Sequence, residues 1–321
     1  MQSCSPFVQN IISKSAKHRE LYNKISPILF DVSLRDGIQG ANPANWPHAK
    51  KRTTFSSIYT QYKPQILEIG SLCSYKLLPI MSDTRELYDY VVKEIERNDD
   101  HITQTYVLIP SIKKLQTAIQ YGMTHFSFIT SASPAFQLKN TNRTLEQVKR
   151  EFSQLCDIDL YQLCLLLNGQ LPLENFTKKL YISCINECPI SGKIDNDFII
   201  KELLHYHYAY SFDELCLSDT CGTLLYQDFE YIIETIHFFG IPLSKVSLHL
   251  HVSNIENLEH ILRYCFRKGI RKFDISAIET GGCSITMNKD RLLANMTYEQ
   301  FYHILNKHID AVVEYNNLET N

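Results

Sequence analysis

Eight short apolar, β-branched runs alternate with longer amphipathic stretches along the chain, and this rhythm limits the fold more than any other feature. The runs are 28–34 (ILFDVSL), 66–71 (ILEIGS), 105–109 (TYVLI), 125–131 (HFSFITS), 179–185 (KLYISCI), 213–218 (DELCLS), 245–251 (KVSLHLH) and 271–277 (RKFDISA). Short β-branched runs of this kind read as strands. The stretches between them read as helices. Residues 112–121 follow Ser111 and stop at Gly122, 225–239 stop at Gly240, and 255–268 stop at Gly269. A long helical segment is expected over 144–169 and a final helix over 297–316. Uninterrupted βα units imply parallel strands, and a closed (β/α)₈ TIM barrel is the simplest way to join eight of them. An open doubly wound sheet is the alternative, but no GxGxxG follows the first strand. The expected α/β architecture is one barrel over 28–321 behind an N-terminal extension, 1–27.

Composition narrows the function. The 35 acidic residues nearly balance the 32 basic ones, so nothing suggests a nucleic-acid footprint. No apolar run reaches the length of a membrane span. The ten cysteines include no CxxC pair, which fits free thiols in a reducing, cytoplasmic setting. Cys184 and Cys188 have no second pair at zinc-finger spacing. Residues 1–19 lack Asp and Glu and carry three Lys or Arg; they read as a capping segment or, alternatively, as an organellar-matrix transit segment.

Barrel enzymes place their chemistry at the C-terminal ends of the strands. Arg35 and Asp36 follow the first strand, Glu68 lies in the second, and Asp219 and Thr220 follow the sixth. His249 and His251 end the seventh, and Gly281-Gly282-Cys283 follows the eighth. Alternation along a strand puts both imidazoles on one face. With a carboxylate from another strand they make an N,N,O set suited to Mg²⁺ or Mn²⁺. The competing reading is two unrelated surface histidines. Arg35–Asp36 reads either as a site pair or as a solvated ion pair, and Glu68 as a buried partner for Arg35. Cys283, after two glycines, is either an acid, base or nucleophile or a small buried filler.

These segments, in order, resemble the 3-hydroxy-3-methylglutaryl-CoA lyase family, within the metal-dependent lyase and Claisen-condensing TIM-barrel superfamily. The resemblance rests on Ser33–Gln39 (SLRDGIQ), Leu67–Ser71, Leu78–Asp83, Ser131–Phe136 with Lys139–Asn142, and Ser183-Cys184 with Cys188-Pro189 and Gly192–Ile194. Leu217–Gly222 (LSDTCG), His249–His251 (HLH) and Gly281–Cys283 (GGC) complete it. It implies a divalent metal on Asp36, His249, His251 and Asn295, with Asn288 the competitor for the fourth position. It implies that Arg35 stabilises an enolate oxygen, that Glu68 orients Arg35, and that Cys283 protonates the enolate carbon. Asp36 or His249 would relay the hydroxyl proton, and Gln39, Ser133 and Thr220 would touch an acyl-CoA substrate. A homodimer is compatible with it. Departures from the family pattern are Val252-Ser253 after the second histidine, Glu279-Thr280 before the glycines, Cys216 in the sixth strand, and a segment 284–295 that is three residues longer and lacks glycine.

The expected reaction is cleavage of a 3-hydroxy-3-methylglutaryl-CoA-like thioester to acetyl-CoA and a keto acid. A Claisen-type synthase or aldolase of the same superfamily and a catalytically inactive barrel used as a binding module are the alternatives.

Overall fold

The computed structural model describes residues 5–98, 104–157 and 176–319. Eight parallel strands close into a barrel: β1 (Ile28–Asp31), β2 (Ile66–Ser71), β3 (Gln104–Leu108), β4 (His125–Ser131), β5 (Thr177–Ser183), β6 (Glu214–Asp219), β7 (Val246–Leu250) and β8 (Lys272–Ile275). Consecutive strands pair, and β8 returns to β1 with Phe30 opposite Asp274, which excludes the open sheet. The helices are α1 (Pro6–Ile12), α2 (Ala16–Ile25), α3 (His48–Gln61), α4 (Thr84–Arg97), α5 (Ile112–Gln120), α6 (Pro134–Thr141), α7 (Leu145–Asp157), α8 (Asn196–Ala209), α9 (Tyr226–Phe238), α10 (Ile255–Lys268) and α11 (Tyr298–Glu319). The continuation of the expected 144–169 helix beyond 157 lies outside the described residues. Among the described residues no helix is long and apolar enough to cross a membrane.

Local chemistry explains these elements. Every residue of β6 and β7 is buried, as parallel strands covered by helices require. Helix α10 starts where the Asn254 side chain accepts from the Asn257 amide. It buries Leu258, Ile261, Leu262, Cys265 and Phe266, and ends on Gly269 at φ 80°. Along β5, Leu180 and Ile182 join the large core between strands and helices. Tyr181 instead packs with Leu108 and Cys216 inside the barrel. The extension before β1 is helical and ties to the last helix: Asp310 takes Lys14 at 2.7 Å and His18 at 2.9 Å, and Phe7 stacks on Tyr302.

The first strand is shorter than its apolar run. It stops at Asp31, whose carboxylate accepts the Ser33 amide at 2.9 Å and the Ser33 hydroxyl at 3.0 Å. The chain then makes one π-helical turn, Ser33–Gly37, the kind of wide turn often found at functional sites. Val32 and Leu34 stay fully buried in and beside this turn, so burial pattern alone does not mark the strand's end.

Two stability tests follow from the packing. A Cβ on Gly70 would lie 2.5 Å from Thr84 Oγ1, and that hydroxyl is already used on the Ser71 and Met81 carbonyls. Gly70→Ala should therefore cost about 1–3 kcal/mol in urea unfolding; an unchanged midpoint would contradict this packing. The second test concerns His308, buried against Phe266. Burial, followed by the charges of Arg263 and Arg267, lowers its pKa from 6.5 to about 4. The unfolded chain takes up this proton near pH 6.5 and the folded chain only near 4, so stability falls as pH drops through that interval. His308→Gln should lose less Tm than the parent between pH 7 and 5, and equal losses would remove His308 as a cause.

Candidate active site

The turn after β1 delivers Arg35 and Asp36 into the C-terminal mouth of the barrel, where both are about 95 % buried. Arg35 Nη1 donates to Asp36 Oδ1 at 2.5 Å, and Arg35 Nε donates to Glu68 Oε2 at 2.5 Å. Tyr181 adds its hydroxyl to the same Glu68 oxygen at 3.0 Å, and its ring lies 5.0 Å from the guanidinium carbon. Burial opposes the charge on Arg35, but Glu68 and Asp36 overcome it and hold the pKa well above its ordinary value. Glu68 itself does not line the cavity. It acts through Arg35, which it clamps in one orientation.

Asp36, His249 and His251 place one ligand atom each within 4.8 Å of one another, and all three are buried. Burial pushes the Asp36 carboxyl up, but Arg35 and then the two imidazoles outweigh it and hold the carboxyl well below the usual range. Asp36 Oδ2 also accepts the Gly282 amide and Asn295 Nδ2, each at 3.1 Å. His251 Nδ1 lies 3.1 Å from the Leu293 carbonyl, which can only accept, so that nitrogen carries the proton. Its Nε2 is left with a lone pair. Burial, then the neighbouring His249, lowers the His251 pKa to about 4, so the ring is neutral at physiological pH. His249 reaches Asp36 Oδ2 with Nε2 at 3.8 Å and Asp274 Oδ2 with Nδ1 at 3.0 Å.

The fourth expected ligand, Asn295, sits in the same cluster despite the lengthened loop. Residues 294–296 run beside the end of β7: Val252 N donates to Ala294 O, Met296 N donates to Leu250 O, and Asn295 bridges His251. Asn288 is exposed on the loop. Gly281 lets Asn295 in, since a Cβ there would lie 2.4 Å from Asn295 Nδ2. Asn295 Oδ1 is buried without a hydrogen-bond partner. One carboxylate, two imidazoles and an amide whose buried oxygen is left without a partner make a donor set that fits a divalent cation. Asp36, His249, His251 and Asn295 are the residues that would hold it.

A cavity of about 310 Å³ opens above this cluster. Arg35, Asp36, His249, His251 and Cys283 line one end, with Gln39 and Thr220. Leu77, Leu78, Leu108, Ile129 and Phe136 form an apolar wall on the β2–β4 side. Cys283 Sγ lies 3.3 Å from Asn140 Oδ1. Burial, partly offset by its hydrogen bonds to Thr286 and Ile285, raises its pKa, so it stays a protonated thiol at neutral pH.

Two expected site residues are used differently. Ser133 does not line the cavity. Its hydroxyl accepts the Phe136 amide at the start of α6 and donates to Cys188 Sγ at 3.0 Å, because the chain must turn there into a helix. Asp219 also turns inward to the protein: it accepts the Thr223 amide at 3.2 Å and the Leu224 amide at 2.9 Å, closing the loop after β6. Sequence reasoning missed Tyr181, Asn140 and Arg143 on the cavity wall. The signal for Tyr181 was its alternation with Leu180 and Ile182; Arg143 gave none. The seven cysteines whose thiols are described are all free, while those of Cys4, Cys156 and Cys164 fall outside the described side chains.

No family model matches the chain. It is 25 % identical over 254 residues to the hydroxymethylglutaryl-CoA lyase YngG of Bacillus subtilis, covering 79 % of this chain and 77 % of that protein. It is 26 % identical over 255 residues to the mitochondrial hydroxymethylglutaryl-CoA lyase of Macaca fascicularis, covering 79 % of this chain and 71 % of that protein. Among solved structures, an HMG-CoA lyase from Acinetobacter baumannii in complex with coenzyme A and 3-methylmalate superposes with a TM-score of 0.70 at 21 % identity, covering 88 % of this chain and 84 % of that one. That likeness carries the barrel fold, and the sequence matches carry the kinship. Over most of its length the chain is thus similar in sequence to hydroxymethylglutaryl-CoA lyases, enzymes that break a carbon–carbon bond.

Proposed function

We propose that this chain cleaves a 3-hydroxy-3-methylglutaryl-CoA-like thioester to acetyl-CoA and acetoacetate with the help of Mg²⁺ or Mn²⁺. The observation that carries the reading is the meeting of three unlike groups around one cavity: the Asp36–His249–His251 cluster, the clamped Arg35 guanidinium and the protonated Cys283 thiol. The relatives named above support the substrate class, and the complex holding coenzyme A and 3-methylmalate supports an acyl-CoA ligand in this type of barrel.

Each residue then has a task. A bound divalent cation would polarise the substrate's tertiary hydroxyl and lower its pKa. The hydroxyl proton leaves to Asp36 or His249. The carbon–oxygen double bond of the keto acid forms as the C2–C3 bond breaks, and the electron pair moves into a thioester enolate. Arg35, fixed by Glu68 and Tyr181, holds positive charge toward that enolate oxygen without having to reorganise. Cys283 Sγ gives its proton to C2, completing the acetyl thioester, and the proton taken from the hydroxyl returns through solvent to the thiolate before the next turnover. The apolar β2–β4 wall limits water around the enolate. Gln39 and Thr220, both on the cavity wall, would contact the acyl group.

The test is direct. Purified protein with Mg²⁺ or Mn²⁺ should form acetoacetate from 3-hydroxy-3-methylglutaryl-CoA, and Cys283→Ala should lower kcat about 10²–10⁴-fold with KM little changed. Thiol release from acetyl-CoA with a 2-keto acid and no acetoacetate from the thioester would favour the condensing alternative. Wild-type turnover in Cys283→Ala would remove the proton-donor role.

A further inference from the structure

Beneath the two histidines, the barrel interior holds charges that no step above uses. Lys179 on β5 is 99 % buried. Its ammonium bonds Asp274 Oδ1 on β8 and lies 3.1 Å from Glu214 Oε1 on β6. Glu214 Oε2 pairs in turn with Lys272 at 3.0 Å. Lys179 also sits 3.5 Å from the Phe30 ring centroid and 4.8 Å from that of Tyr181. The four charged groups form a column from the lower rim of the barrel to Asp274, and Asp274 Oδ2 meets His249 Nδ1 at 3.0 Å.

A buried ion array of this kind stabilises a fold weakly at best, because desolvation cancels most of the attraction. Its effect on the neighbouring imidazole is more specific. Two cations and two anions balance within the column, and its member in contact with His249 is the Asp274 carboxylate. Lys179 holds Asp274 as a carboxylate, and a carboxylate only accepts hydrogen bonds. The proton of a neutral His249 must therefore sit on Nδ1. That leaves the lone pair on Nε2, the nitrogen facing Asp36 across 3.8 Å. His251 receives the same tautomer from the Leu293 carbonyl. Both rings thus aim a lone pair into the cluster, one set by the backbone and the other by a buried ion pair three strands wide.

We propose that Asp274, held by Lys179, is a positioning residue: it fixes the His249 tautomer and, through it, the affinity of the cluster for a divalent cation. The part concerning affinity rests on the metal-dependent reading above; the part concerning the tautomer does not. Hydrogen-bonded partners of metal-binding histidines commonly change metal affinity by about 10–100-fold when removed.

The experiment has two arms on the full chain. Long-range ¹H–¹⁵N spectra of histidine-labelled, metal-free protein, with His249→Gln used for assignment, should show His249 protonated on Nδ1. In Asp274→Asn that single tautomer should give way to a mixture while His251 is unchanged. Mn²⁺ titration by calorimetry should then show binding about 10–100-fold weaker in Asp274→Asn, and weaker also in Lys179→Met, which touches no ligand. A wild-type His249 protonated on Nε2, or an Asp274→Asn protein with wild-type Mn²⁺ affinity, would overturn the proposal. Should Asp274→Asn fail to fold, the wild-type spectrum and the Lys179→Met titration still decide it. A wild-type protein that binds no Mn²⁺ but shows the Nδ1–H tautomer would instead sink the metal-dependent reading and leave the tautomer assignment standing.

Discussion

One buried carboxylate, Asp36, ties the first strand of the barrel to its last loop. Its two oxygens collect the Arg35 guanidinium, the Gly282 amide and the Asn295 side chain, and they face His249. These partners come from the turn after β1, the end of β7 and the two ends of the long loop after β8. A buried negative charge this close to Arg35 is tolerated only because every side of it is answered. The site's other features depend on this arrangement: the guanidinium points where Glu68 and Asp36 hold it, and Cys283 follows directly on the glycine that bonds Asp36.

The barrel supplies the precision. Alternation along each strand sends Tyr181, His249 and Asp274 to the interior, while Leu180, Ile182, Leu248 and Ile275 pack against helices. The interior is therefore a stack of polar and aromatic layers, with an ionic layer below and the histidine cluster above. Helices outside carry the apolar packing. That division lets the cavity end hold several titratable groups in fixed positions without relying on them for the core.

Much of this was legible in the sequence, for physical reasons. Strands buried on both faces read as continuous apolar runs, so 66–71 and 125–131 match their strands residue for residue, and 255–268 matches its helix from Asn254 cap to Gly269 stop. The end of β1 did not show, because Val32 and Leu34 are buried in the turn as deeply as in a strand. The HxH pair showed through its spacing, and Arg35, Asp36 and Cys283 through their positions after strands. Ser133 did not behave as expected because a helix start needed its hydroxyl. The choice between Asn288 and Asn295 depended on how a lengthened loop returns to β7, which only backbone pairing decides. The Lys179–Asp274 pair was invisible: 95 positions separate its members, and a charged residue in a strand does not name its partner.

The proposed chemistry requires that two imidazoles and Asp36 act together on one divalent cation. Pulsed electron paramagnetic resonance of the Mn²⁺-loaded protein, labelled with ¹⁴N- or ¹⁵N-histidine, tests it most directly. Couplings from two imidazole nitrogens that change with the isotope are expected, one of which disappears in His251→Gln. Bound Mn²⁺ with no imidazole coupling would contradict it.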